Sequence, residues 1–225
     1  MKLYFHPVST ASKPVVLFLN ESKIAFEPIV VDLMKGEHLA DKYKNLNASC
    51  LVPSIDDEGF VLTESSAILK YIAEKHNSPA YPKDIQKRAR INERMDWFNT
   101  QFYREYAYHL IYPQIFPNHD RGSEAATKAT ITWGQEQIKR WMGVLNDNII
   151  GSHKYVAGDE ISIADYLAAG IVSVGDITRV DLSKYTNVDR WMKSMRALPT
   201  WNTTMEATAG FAKMMESKQF VGLDA

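Results

Sequence analysis

Near residue 80 the hydrophobic period of this chain changes, and no single layered architecture accommodates both sides of that change. Before it, short β-rich segments alternate with helix-length ones. Lys2 to Phe5 is partly aromatic and stopped by Pro7, which predicts a first strand. Val15, Phe18 and Leu19 follow at helical spacing, with Pro14 suited to a first turn. Phe26 to Val31 is strand-like again, and Pro28 assigns it to a sheet edge because proline donates to no ladder. Gly36 to Asn47 reads as a short, poorly packed helix. Val52–Ile55 and Phe60–Leu62 flank Asp56-Asp57-Glu58-Gly59, a hairpin signal. Glu64 to Lys75, with Ile68, Leu69 and Ile72 on one face, closes a βαβαββα unit, a small mixed sheet with helices against it.

Asn77 to Lys83 holds two prolines and no periodicity, and reads as a linker. Beyond it every strong pattern is helical. Met95, Phe98 and Phe102 form one stripe; Ile131, Gly134, Ile138, Trp141, Leu145 and Ile149 form another. Val188, Trp191, Met192 and Met195 make a third, and Trp201 with Met205 opens a last one after Pro199. The expected division is therefore an α/β domain over 1–77 and an all-helical domain over 84–225.

Charge and cysteine content narrow the function. Twenty-six basic residues oppose twenty-seven acidic ones without like-charge runs, so a nucleic-acid partner is not expected. No apolar run approaches the ~18 residues of a membrane span, and Met1 to Pro7 lacks the core of a signal peptide. With Cys50 alone, neither an intramolecular disulfide nor an all-cysteine metal site can form; a cytoplasmic protein without a metal is the expectation.

The sharpest local signal is Ser162-Ile163-Ala164-Asp165, a helix-opening box in which the serine and the carboxylate three residues on satisfy each other's backbone donors. Ile161 and Tyr166 sit where a hydrophobic staple would clamp the entering chain. Capping explains Asp165 fully, so a catalytic role for it is the lesser alternative. Near the first helix, Ser9, Thr10 and Ser12 are all placed to cap it.

Taken together, Tyr4-Phe5-His6-Pro7-Val8-Ser9-Thr10, Gly36-Glu37-His38, Leu51-Val52-Pro53-Ser54-Ile55, Leu62-Thr63-Glu64-Ser65-Ser66-Ala67-Ile68 and Ser162-Ile163-Ala164-Asp165 resemble, in order and rough spacing, the glutathione S-transferases. The serine-type classes, theta and delta with their bacterial relatives, are the most similar. The resemblance covers the whole chain. It implies a thioredoxin-like N-terminal domain, an all-α C-terminal domain, a homodimer, and glutathione as co-substrate for attack on a small hydrophobic electrophile. Ser9 takes the place of the serine that stabilises the thiolate, the nucleophilic form of a thiol; Thr10 and Ser12 remain alternatives. Val52-Pro53 is expected to be cis, with the backbone around Cys50, Leu51 and Val52 facing glutathione. Glu64 and Ser65 would hold the γ-glutamyl end at a helix start, where N–H groups attract anions, or would merely cap that helix. His38 and the Cys50 region would lie near the glycine carboxylate.

The chain departs from the family at several positions. Cys50 and Ser66 stand where relatives carry basic residues, Ala48 follows Asn47 in place of proline, and Lys13 replaces a frequent arginine. No cysteine falls at residues 9–12, which argues against mixed-disulfide chemistry. The aromatic run from Trp97 to Phe116 is expected to wall the electrophile pocket, with Tyr103, Arg104 and Tyr106 as contacts. Phe60, a large apolar group on the hairpin, is expected to plug into a second copy. Dehalogenation, isomerisation or peroxide reduction on the same frame are alternatives to conjugation. A catalytically silent interaction module is the alternative of another class.

Overall fold

The computed structural model describes residues 1–223. Strands β1 (Lys2–Phe5), β2 (Glu27–Val30), β3 (Ser54–Asp57) and β4 (Phe60–Thr63) form one sheet in the order β2-β1-β3-β4. β1 and β2 are parallel and joined by helix α1 (Lys13–Glu21), while β3 is antiparallel to β1 and β4. Pro28 lies on the edge strand, opposite Leu3. Asp57 pairs with Phe60 across a two-residue turn in which Glu58 (φ 57°) and Gly59 (φ 93°) are both left-handed, the twist that a tight hairpin requires. The polar stretch after β2 holds only a 3₁₀ turn, Glu37–Leu39, and a single-turn helix α2 (Asp41–Lys44). Helix α3 (Ser65–Lys75) buries Ile68, Leu69 and Ile72, completing the βαβαββα order of a thioredoxin-like unit.

Every later element is helical. α4 (Ile85–Trp97) continues through two stretches of wide, i→i+5 turns, Phe98–Phe102 and Arg104–Ile111, into α5 (Tyr112–Ile115). α6 (Glu124–Val144) packs back on that rod. A β-carbon at Gly134 would lie 2.7 Å from the His109 carbonyl carbon and the Leu110 nitrogen, so the two backbones touch where no larger residue fits. α7 (Ile163–Val172) is buried at all its positions, with α8 (Thr186–Arg196) and α9 (Trp201–Met214) outside it.

The core does not stop at the domain boundary. Leu3, Phe18, Ile55 and Leu69 of the sheet unit belong to the same buried cluster as Phe98, Leu167 and Trp191 of the helical unit. α1 meets α7 so closely that a β-carbon at Gly170 would lie 2.5 Å from Pro14 Cγ. Phe18 packs edge-on to Tyr166 with ring centres 5.2 Å apart. Glu21 accepts from the Thr200 N–H at 2.7 Å, and the Ile163 N–H donates to Ala80 O at 3.0 Å.

Asp165 holds more than a helix start. Its Oδ2 accepts from the N–H and the O–H of Ser162, each at 2.8 Å; its Oδ1 accepts from Val156 N–H at 2.9 Å and from the Trp191 indole at 3.0 Å. The box thus ties α7, the loop before it and α8 through one fully buried carboxylate. Burial pushes that carboxyl up to about 6 against its four donors, leaving it ionised at neutral pH. Asp165→Ala strands four buried donors and is expected to cost about 3 kcal/mol or more, well beyond the ~1 kcal/mol of an ordinary cap. Asp165→Asn keeps the shape but points an N–H₂ at other donors, so it recovers only part of the loss. Urea unfolding of the three proteins checks the order.

Candidate active site

The three hydroxyls at the start of α1 are sorted by their surroundings. Ser12 Oγ is buried and unpartnered. Thr10 is buried too, its hydroxyl beside those of Tyr103 and Tyr112. Ser9 alone is half-exposed, on the turn after β1 where its N–H donates to His6 O at 3.0 Å. Its Oγ accepts from the Ser12 N–H at 3.2 Å. A hydroxyl used that way is satisfied as an acceptor and keeps its own proton free to donate.

Opposite this turn lies the loop before β3. The Val52–Pro53 bond is cis and Cys50 is left-handed at φ 54°. Tyr43 O–H and Asn47 Nδ2 donate to Leu51 O at 2.6 and 2.7 Å, fixing the loop from beneath while the Leu51 side chain projects outward. Val52 packs with Val31 and Tyr43 in a small separate cluster. Glu64, at the start of α3, adopts φ 66° and ψ 113°, outside the regions favoured by residues with a side chain. It makes no side-chain cap and is exposed, while Ser65 and Ser66 are half-buried at the helix start. His38 is half-buried on its 3₁₀ turn with an unpartnered, buried Nδ1. It lies within electrostatic reach of His6, whose imidazole burial holds below its ordinary value.

The aromatic rod contributes a second wall. Tyr103 and Tyr112 share a hydroxyl hydrogen bond of 2.8 Å, and Tyr108 packs edge-on against both rings. Burial raises the phenols of Tyr103 and Tyr112 well above their ordinary range, so both stay protonated. Tyr108 lies within electrostatic reach of Glu64 at the start of α3. Of the pocket contacts expected from sequence, Tyr103 joins this group. Tyr106 does not: it is fully buried, with its hydroxyl donating to Val172 O at 3.2 Å, and offers no surface to a ligand. Arg104 points outward, its Nε 2.7 Å from the buried Glu105, which also accepts from His109 at 2.7 Å. Tyr108 and Tyr112 belong to the aromatic run noted in the sequence but were not singled out within it, and a period of about 3.6 would put Tyr103 and Tyr112 on opposite faces. The wide turns bring them round to one side. Among the described residues no group of three or more His, Cys, Asp or Glu is placed to hold a metal, and no helix is long and apolar enough to cross a membrane.

Residues 3–80 match the family model for the glutathione S-transferase N-terminal domain, and residues 110–199 match the one for its C-terminal domain. The chain belongs to the glutathione S-transferase family. It is 28% identical to glutathione S-transferase D7 of Drosophila melanogaster over 97% of this chain and 95% of that one. A delta-class glutathione transferase of Nilaparvata lugens superposes with a TM-score of 0.80 at 27% identity, covering 96% of this chain and 98% of the other. An epsilon-class glutathione S-transferase from the housefly, Musca domestica, gives 0.83 at 26%, with 98% and 99% covered. The transferase is thus an enzyme of a glutathione-using family, on a thioredoxin-like plus all-helical frame.

The backbone at Glu64 carries its own test. Glycine reaches positive φ at little steric cost, so Glu64→Gly is expected to raise stability by about 1 kcal/mol. Thermal unfolding of that variant beside Glu64→Ala, which keeps the β-carbon, separates backbone relief from loss of the carboxylate.

Proposed function

We propose that this glutathione S-transferase conjugates the glutathione thiolate to small hydrophobic electrophiles, with Ser9 stabilising the sulfur anion. The reading rests on one observation: of the three hydroxyls at the α1 start, Ser9 alone is both half-exposed and left with a free proton to donate. A hydrogen bond to S⁻ favours the ionised thiol, and each pKa unit of depression represents ~1.4 kcal/mol. In this reading the backbone from Cys50 to Pro53 pairs with the cysteinyl part of glutathione. Ser65 and the α3 N–H groups take the γ-glutamyl carboxylate, Glu64 takes the α-ammonium, and His38 lies toward the glycine end. The electrophile rests against Tyr103 and Tyr108, with the buried Tyr112 behind them.

Ser9→Ala is expected to cut turnover with a reactive aryl halide ~10-fold or more and to move the pH profile alkaline, while glutathione affinity changes little. Glu64→Ala is expected to do the reverse and weaken glutathione first. Steady-state rates across pH and direct glutathione titration of both variants decide this. An untouched pH profile in Ser9→Ala defeats the serine-type reading.

The same reading makes the protein a cytoplasmic homodimer. Phe60 is 50% exposed on the hairpin beside the exposed Val61, its ring centre 5.2 Å from that of Tyr71. A large apolar group held out of so small a sheet favours a partner surface. Sedimentation at micromolar concentration is expected to show twice the 25.6 kDa chain mass, and Phe60→Asp to shift it toward the monomer.

A further inference from the structure

Ser9 and Thr10 are neighbours with opposite surroundings. Ser9 is half-exposed, while Thr10 is buried against the aromatic rod. The bonds that Ser9 itself makes are all local. Its N–H donates to His6 O at 3.0 Å, its carbonyl accepts from the Ser12 and Lys13 N–H groups at 3.1 Å each, and its Oγ accepts from the Ser12 N–H at 3.2 Å. Every partner lies within one helical turn of it in sequence, so these contacts shape the turn without tying it to the rest of the molecule.

Thr10 supplies the distant tie. Its hydroxyl lies in hydrogen-bonding reach of the Tyr103 and Tyr112 phenols, which share their own bond of 2.8 Å. Three hydroxyls so placed can each donate one proton and accept another, and the set is satisfied without water. Tyr112 is held in turn by rings on four sides: Tyr103, Tyr108, Phe116 and His119 have their centres 6.3, 5.0, 5.4 and 4.9 Å from its own. Burial raises both phenols well above their ordinary range, so the cluster keeps its protons at neutral pH.

We infer that Thr10 and Tyr112 are positioning residues for Ser9, an inference that rests on the reading of Ser9 as thiolate donor: the buried hydroxyl cluster anchors the Thr10 side chain to the rod and thereby aims the neighbouring Ser9 hydroxyl at the sulfur. Hydrogen bonds weaken steeply as their angle departs from linear, and a small misplacement of a catalytic group costs rate out of proportion to its size. Loss of the cluster therefore acts on sulfur ionisation and turnover, while the tripeptide keeps its contacts along Cys50–Pro53 and the start of α3.

Thr10→Val and Tyr112→Phe preserve the shape of each side chain and remove one hydroxyl. Each is expected to lower turnover with the aryl halide ~5-fold and to move the pH profile alkaline by less than Ser9→Ala does, with glutathione affinity within ~2-fold of the parent. The ultraviolet absorbance of the bound thiolate, followed across pH, is expected to shift in step. Thr10→Ser restores the hydroxyl and is expected to restore the profile. In a Ser9→Ala background neither substitution is expected to move it further, because the group they aim is gone. The charged and titratable groups around the turn and the rod are untouched in every variant: His6 with His38 near it, Lys13 of α1, Glu64 near Tyr108, and His119 against Tyr112. If Ser9→Ala shifts the profile and Tyr112→Phe does not, the inference falls and the Ser9 reading stands; a shift in Thr10→Val alone then makes Thr10 a direct contact of the sulfur. Shifts that add to that of Ser9→Ala, or a Thr10→Ser variant that fails to recover, also overturn it. An untouched profile in Ser9→Ala defeats the Ser9 reading and this inference together. Tyr112→Phe carries the test if Thr10→Val does not fold.

Discussion

One buried carboxylate holds the frame on which the site is built. Asp165 gathers the Ser162 N–H and O–H, the Val156 N–H and the Trp191 indole onto two oxygens, fixing the central helix α7 against its entry loop and α8. α7 in turn presents Gly170 to Pro14 of α1. Pro14 lies in the first turn of the helix that opens just after Ser9. A polar group satisfied this fully in a low-dielectric interior sets one geometry and penalises every other. The position of the Ser9 turn therefore traces back, through two close contacts, to a cap in the other half of the chain.

Around that turn the backbone does as much as the side chains. Cys50 and Glu64 hold positive φ and Leu51 O is pinned by two donors from below. Residues kept in sparsely populated conformations persist only where their surroundings over-determine them. Here the surroundings are the Tyr43–Val52 cluster and the packed face of α3. The aromatic rod meets the start of α1. Its hydroxyl pair, Tyr103 and Tyr112, reaches Thr10 and so couples the wall to the start of α1.

Much of this was legible from the chain alone, for local reasons. The hairpin showed through Glu58-Gly59, the edge strand through Pro28, and the α7 start through Ser162 and Asp165, because each depends on residues a few positions apart. What stayed hidden depends on distance or on an unusual period. The Val156 and Trp191 donors to Asp165 come from segments that no local pattern connects to it. Tyr106 looked like a pocket residue until its hydroxyl was found on Val172 O. Tyr112 was not singled out within the aromatic run, and wide turns rotate it onto a face that an ordinary helix would deny it. The merging of the two halves into one core was likewise invisible, since a proline-bearing linker and a change of period both read as a boundary.

That shared core limits how the halves can be traded between relatives. A chimera joining this sheet unit to another transferase's helices would meet its first obstacle far from the ligand, at the seam of Pro14 with Gly170, Phe18 with Tyr166 and Glu21 with Thr200. A bulkier residue opposite Pro14 would lift α1 and carry the Ser9 turn with it. The natural units of recombination in this protein are matched seam pairs, and the linker at residues 77–83 is a poor place to cut.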